Sequence, residues 1–309
     1  MQPSPSRRAF LSGRRSALSN WEQFVLALKA RVQGELSSDP NQEAQLHWQP
    51  VSAAEVHFAL SLCRRFDIQC HTVGIAPPLN EPDMPTLWVD PSAGLNQVQA
   101  LETEGPLWFV QPGCTMQQLV DVGLTAFAKL PAELTVAGWV LDRRWQAWGN
   151  GHTRFSGVVH ASLLMDDGTV SSLGPFGARN SKPLNTPRLR QLVPELFQLS
   201  VTSGNQACFL ADTWRGRYRL DALQPALGSE LNLAHLVLGS GGDLGWLEWL
   251  VIDERLLALS EPLGLANVFD AKPVDADSAL AVRWSELDAH IKQLFDPDYR
   301  FSFPLQALL

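Results

Sequence analysis

The first half of the chain alternates short apolar runs with amphipathic stretches. After Pro50, apolar residues recur at helical spacing, and Ser52 followed by Glu55 has the pattern of a helix N-cap with a capping box. Three short strands and one further helix are predicted next, at residues 68–73, 86–90, 108–110 and 115–122. This alternation predicts a first subdomain of mixed strands and helices over residues 41–142.

The second half of the chain carries longer apolar runs between turns. Strands are predicted at residues 157–165, 169–173 and 246–252. Asp167 and Gly168 lie between the first two of these strands, in a sequence typical of a β-hairpin turn. We therefore expect a second subdomain over residues 143–255, followed by a short segment and a C-terminal tail over residues 256–309.

The first 40 residues combine a basic arm with an amphipathic stretch. Arginines stand at positions 7, 8, 14 and 15, and residues 6–11 resemble a twin-arginine export signal. The apolar run that such a signal needs is interrupted between Ser12 and Ser16. Apolar residues of the stretch 21–32 instead fit one face of a helix. The preferred interpretation is a cytoplasmic protein with a basic arm, and export is the alternative.

Composition excludes several classes of protein. The chain has 24 basic and 32 acidic side chains and a net charge of −8, which argues against a nucleic-acid or anionic-membrane surface. No apolar run is long enough to span a bilayer. The 4 cysteines show no CxxC pairing, and the 7 histidines show no metal-ligand spacing. We expect unpaired thiols and no metal site.

Residues 236–250 contain the densest cluster of glycines in the chain. The turn Gly239-Ser240-Gly241-Gly242 separates two apolar runs, and Gly245 precedes the second run. Glycine is used where the backbone needs a positive φ or must lie close to another group. One interpretation is a plain loop between buried elements.

The other interpretation comes from a family resemblance. This stretch resembles the G-S-E-G-T-L-G segment of the FAD-binding fold shared by vanillyl-alcohol oxidase, p-cresol methylhydroxylase and glycolate oxidase subunits. Other segments are similar to the family pattern in the same order, namely residues 50–56, 87–92, 110–119, 135–138, 151–157, 167–170 and 294–301. The resemblance implies an α+β fold of two FAD-binding subdomains of the PCMH type, in which mixed sheets are flanked by helices.

The resemblance also implies a cradle for FAD. Backbone N–H groups in glycine turns can bind the two phosphates, and an arginine can add a charge-assisted bond. The phosphate loop would begin at residue 74, and residues 239–245 would support the adenine side. The implied cofactor-binding residues are Gly74, Ile75, Ala76, Gly113, Cys114, Thr115, Gly138, Gly151, Arg154, Gly239, Gly242 and Gly245. His71 and His152 are candidates for covalent flavin attachment, and a buried, hydrogen-bonded histidine is the simpler interpretation of both.

The chain also departs from the family pattern. Pro77 and Pro78 remove N–H donors from the phosphate loop, and the β-branched Ile75 resists positive φ. Gly241 replaces the family Glu, and the substrate-capping domain would be reduced to residues 256–285, which contain no evident acid/base pair. No catalytic residue is assigned.

Two hypotheses follow. In the first, the chain is a flavoprotein that transfers a hydride from a small hydroxylated substrate of the 2-hydroxy-acid type to FAD. It would then work with a partner subunit or an electron-acceptor protein. In the alternative, the chain is a non-catalytic relative that keeps the fold as an assembly or scaffold subunit without FAD.

Overall fold

The computed structural model describes residues 18–38, 44–75, 84–102, 105–145, 148–177, 184–211, 213–258 and 279–301. Its strands are β1 (Glu35–Ser37), β2 (Gln45–Gln49), β3 (Gln69–Thr72), β4 (Thr86–Val89), β5 (Val98–Ala100), β6 (Leu107–Val110), β7 (Val158–Leu164), β8 (Val170–Leu173) and β9 (Trp246–Asp253). Its helices are α1 (Asn20–Lys29), α2 (Ala53–Phe66), α3 (Met116–Asp121), α4 (Val136–Leu141), α5 (Pro187–Val201), α6 (Gln206–Phe209), α7 (Glu254–Ala258) and α8 (Ala279–Phe295). The basic arm and most of the predicted cap segment lie outside the described residues.

Helix α1 buries the apolar face predicted for residues 21–32. Its start is capped by Ser19 and Glu22: Glu22 N donates to Ser19 Oγ at 3.2 Å, and Ser19 N donates to the Glu22 carboxylate at 2.7 Å. Phe24 and Leu28, one turn apart, are fully buried. The helix packs against α2 and belongs to the hydrophobic core built on the first sheet.

Helix α2 begins where the sequence predicts. The Ser52 side chain accepts a hydrogen bond from Glu55 N at 3.3 Å, which confirms the N-cap. The Glu55 carboxylate accepts from Gln33 N at 2.7 Å and from Val51 N at 3.2 Å. Glu55 therefore ties the loop after α1 to the start of α2.

The first sheet, sheet A, contains four strands in the order β1-β2-β4-β3. Strands β2, β4 and β3 are parallel, and β1 is antiparallel to β2. Leu46, Leu87 and Cys70 lie in register across the three parallel strands, and all three are buried. This face of the sheet and helices α1 and α2 enclose one hydrophobic core.

The second sheet, sheet B, contains five antiparallel strands in the order β5-β6-β9-β7-β8. Its central strand is β9, in which Leu250 and Ile252 are fully buried. Strands β7 and β8 form the predicted hairpin, with Leu164 opposite Val170. Strands β5 and β6 precede residue 142 and yet pair in sheet B. The division between the two sheets therefore does not fall at the predicted subdomain boundary.

The C-terminal segment returns to the free edge of sheet A. Phe301 forms a parallel bridge with Cys70, and Cys70 N donates to Arg300 O at 2.7 Å. Asp296 shapes this return, because its carboxylate accepts from Arg300 N at 2.9 Å and from Phe301 N at 2.8 Å. A buried backbone amide needs such a partner, so Asp296 determines the path of the tail.

The ammonium group of Lys292 is fully buried and is bonded to three parts of the chain. It donates to the Asp296 carboxylate at 2.6 Å, to the Phe301 carbonyl at 2.7 Å and to the Asp243 carbonyl at 2.6 Å. The three N–H donors of a lysine are thereby matched to three acceptors. Lys292 connects α8, the tail beside sheet A and the turn that precedes β9 of sheet B.

We expect Lys292→Met to lower the free energy of unfolding by about 3–5 kcal/mol, because it leaves a buried carboxylate and two buried carbonyls without their donor. Chemical denaturation followed by circular dichroism measures the change. Lys29→Met, at an exposed position in α1, is the matched control and should change the free energy by less than about 0.5 kcal/mol. A loss for Lys292→Met no larger than that of the control would contradict this role.

Candidate functional site

Three of the segments implied by the resemblance meet at one place. A methyl group placed on Gly138 at the start of α4 would lie 2.8 Å from the Gly74 carbonyl oxygen. A methyl group placed on Gly242 would lie 3.1 Å from Ile75 Cδ1 and 3.4 Å from Thr72 Oγ1. The loop after β3, the start of α4 and the glycine-rich turn before β9 are therefore in contact. We call residues 239–245 the junction turn.

A fourth implied segment, residues 113–115, lies beside the start of α4. Val136 N donates to Cys114 O at 2.8 Å, and Thr115 forms an isolated bridge with Thr135. Gly113 faces away from this contact, since a methyl group placed on it would lie 2.1 Å from Pro91 O. The requirement for glycine at position 113 therefore comes from the chain's own turn.

The remaining implied residues are each explained by a contact within the chain. Gly151 has a φ of 73° and lies against the backbone of Ala226, while Gly245 lies against Leu164 O. Arg154 donates to Gly228 O at 3.1 Å and covers the Phe155 ring. Ala76 lies outside the described residues.

Several backbone amides around the implied cradle, on its adenine side and at the start of α4, already donate to acceptors in the chain. Gly239 N donates to Val140 O at 2.8 Å, and Gly241 N donates to Leu141 O at 2.7 Å. Gly138 N donates to Thr135 Oγ1 at 3.1 Å. Five further amides among the implied residues also donate to acceptors within the chain, those of residues 113, 114, 115, 151 and 242. An amide engaged in this way is not a donor that awaits an anion.

The burial of the implied cofactor-binding residues also shows that they pack within the chain. Residues that contact a dinucleotide should be accessible in a structure that holds no ligand. Most of the implied residues are buried: Gly113, Cys114, Gly138, Gly151, Gly239, Gly242 and Gly245. Ile75, Thr115 and Arg154 are half-buried, and Gly74 is exposed. At the described residues, most of the implied cofactor-binding positions pack against the chain's own residues.

A buried ion pair fixes the junction turn from the other side. The Arg217 guanidinium donates through Nε to the Asp243 carboxylate at 2.6 Å and to Ser240 O at 3.1 Å. A methyl group placed on Gly241 would lie 2.1 Å from Arg217 Nη2, so glycine at this position makes room for the guanidinium. Burial raises the pKa of Asp243, and the neighbouring Arg217 and Lys292 oppose that rise.

Sequence reasoning missed the charged residues that hold this region together. Asp243 lies within the glycine-rich motif, and Asp296 lies within the tail motif four residues after Lys292. The available signal was a set of charges inside apolar runs, which is unusual for exposed positions. Sequence alone did not pair Arg217 with Asp243, because 26 residues separate them.

The two histidines considered for covalent flavin attachment lie in different surroundings. His71 is buried, its ring lies 4.5 Å from the Trp88 ring, and burial together with Lys292 lowers its pKa to about 4. His152 is exposed and stacks on Phe155. Neither arrangement singles out an attachment site.

Within the described ranges, no group of three or more His, Cys, Asp or Glu residues could hold a metal ion. The four cysteines are free and buried. No helix in this part of the chain combines the length and hydrophobicity needed to cross a bilayer.

No protein-family model matches the chain, and no curated protein sequence matches it. Among solved structures, the chain is similar to two crystal forms of alkyldihydroxyacetonephosphate synthase, at 16% sequence identity and a TM-score of 0.38. The match covers 67% of this chain and 31% of that protein, so the chain spans less than a third of its length. At this TM-score the likeness carries no argument about function.

A titratable carboxylate lies beneath the segment that carries Arg217. Asp288 on α8 accepts hydrogen bonds from Arg217 N at 2.8 Å and from Tyr218 N at 3.3 Å. Burial of this carboxyl group raises the pKa of Asp288 to about 7, although these hydrogen bonds and the nearby Arg217 and Arg143 oppose the rise. The folded protein therefore holds a proton that the unfolded chain has lost at the same pH.

The raised pKa of Asp288 predicts a pH-dependent stability. Its contribution is present below the ordinary pKa of an aspartate and is lost as the pH rises through about 7. Relative to Asp288→Asn, which does not titrate and keeps one of the two acceptor oxygens, the wild type should lose on the order of 1–2 kcal/mol between about pH 5 and about pH 8. Denaturation at each pH measures the difference. The exposed Asp298→Asn controls for the loss of a charge, and a wild-type-minus-Asp288→Asn difference that stays flat with pH would contradict the assignment.

Proposed function

We propose that this chain is a non-catalytic relative of the FAD-binding oxidoreductases that its motifs resemble. In this proposal it keeps their α+β, PCMH-type fold as a subunit that binds other proteins, without FAD in the implied cradle. The observation that carries the proposal is the hydrogen bonding of the cradle: Gly138, Gly239 and Gly241 donate their amides within the chain. A dinucleotide would have to displace these bonds before it could be held.

The electrostatics of the region support the same proposal. FAD carries two phosphate charges, and a site for it needs donors or cations that are not already neutralised. Arg217, a cation at the junction turn, pairs with Asp243 and bonds the turn's own backbone. Lys292 pairs with Asp296 and bonds two carbonyls. Both cations therefore stabilise the fold through these bonds.

The titratable groups near neutrality do not form a catalytic pair around the implied cradle. Burial raises the pKa of Asp166 to about 6, and that residue follows β7 and lies 3.5 Å from Arg188. Asp288 accepts two backbone hydrogen bonds. Asp288 is thus engaged in holding the chain, which favours a structural role for it over general acid–base catalysis.

A second candidate function is a working flavoprotein subunit. It is favoured by the convergence of Gly74, Gly138 and Gly242, which come from three separate segments of the family pattern. When bound, FAD would accept a hydride from a small hydroxylated substrate of the 2-hydroxy-acid type, and the electrons would pass to a partner protein. In that case the loop that begins at Gly74 would have to move away from the junction turn.

Native mass spectrometry of the protein purified from its source cells distinguishes the two candidates in one experiment. We expect masses of this chain together with partner subunits, without a bound flavin mass and without visible flavin absorbance. FAD added in excess to the purified protein should also remain unbound. A flavin that copurifies or binds stoichiometrically would establish the flavoprotein, and free monomer alone would count against an assembly role.

A further inference from the structure

The side chain of Ile75 extends from sheet A into the hydrophobic core of sheet B. Ile75 follows β3, a strand of sheet A, and yet it packs against the core cluster that contains Val140, Leu141 and Leu244. The core around sheet A is a second cluster, which also contains Leu164 of β7 and Trp246 of β9. Ile75 is therefore a hydrophobic link between the two halves of the structure.

The junction turn is shaped to receive this side chain. Ile75 Cδ1 would lie 3.1 Å from a methyl group at Gly242, and Leu141 Cδ1 would lie 3.6 Å from it. Gly242 has a φ of 76°, a conformation that residues with a side chain rarely adopt. The turn thus presents bare backbone at the position where Ile75 meets it.

The polar groups of the junction turn near Ile75 are paired with one another and with α4. Gly239 and Gly241 donate their amides to the last residues of α4, and Arg217 lies over Gly241 with its charge neutralised by Asp243. The bonds of the turn are made, and its open face is covered by an aliphatic side chain.

We propose that Ile75 is an internal plug, which joins the two sheets at the position that the family resemblance assigns to the cofactor. The inference rests on the proposed function, because it explains how the fold holds together there without FAD. Packing of the Ile75 side chain against Gly242 and against the core cluster that contains Leu141 stabilises the junction without a ligand.

Thermal unfolding of Ile75→Ala tests the plug. We expect the melting temperature to fall by about 3 °C, because the truncation removes apolar contacts with the turn and with the core cluster of sheet B. Leu210→Ala is the matched control, since Leu210 is 82% exposed and its truncation should leave the melting temperature unchanged. A melting temperature for Ile75→Ala equal to that of the wild type would overturn the inference.

A double-variant cycle tests whether the plug acts across the two sheets. Ile75→Ala combined with Leu141→Val should lower the melting temperature by less than the sum of the single effects, because both side chains lie beside the same position, Gly242. Strict additivity would mean that Ile75 does not bridge to α4, and would overturn the inference.

Addition of FAD to the wild type separates failure of the plug from failure of the proposed function. We expect no change in melting temperature at FAD concentrations that saturate flavoproteins. A rise would show that FAD binds and would overturn the proposed function. No rise, together with an unaffected Ile75→Ala, would leave the proposed function standing and would refute the plug alone.

Discussion

The described structure depends on the hydrogen bonds and the ion pair that hold one short turn, residues 239–245, in place. Lys292 donates a hydrogen bond to the Asp243 carbonyl. Arg217 donates to the Ser240 carbonyl and to the Asp243 carboxylate. Two amides of the turn donate to carbonyls at the end of α4. A buried ammonium or guanidinium is costly unless all its partners are in place. The charges therefore enforce one arrangement of α8, the tail, α4 and β9.

These contacts explain why glycine is required at positions 241 and 242 even without a cofactor. Gly241 makes room for the Arg217 guanidinium, and Gly242 makes room for Ile75. In a flavoprotein, bare backbone at such positions would allow close approach of a ligand. Here the same freedom allows close approach of the chain's own side chains, Ile75 at Gly242 and Arg217 at Gly241.

The periodicity of the sequence predicted most of the elements, because local patterning and caps specify them. Ser52 capped α2, the alternation around residues 158–173 gave a hairpin, and the apolar face of residues 21–32 was buried. The assembly of strands 98–110 into sheet B was not predicted, since strand pairing over such separations depends on tertiary contacts. The contacts of the glycines were not predicted for a related reason: a motif shows where glycines are needed, and only the structure shows that Ile75 and Arg217 face them.

Amide hydrogen exchange at the junction turn tests the central claim most directly. If the chain closes the turn by itself, the amides of Gly239 and Gly241 are protected in the absence of any ligand, because they are bonded to Val140 and Leu141. Their exchange then stays the same when FAD is added in excess. Rapid exchange of both amides without FAD, slowed on its addition, would contradict the account and would show that the turn is an open cofactor site.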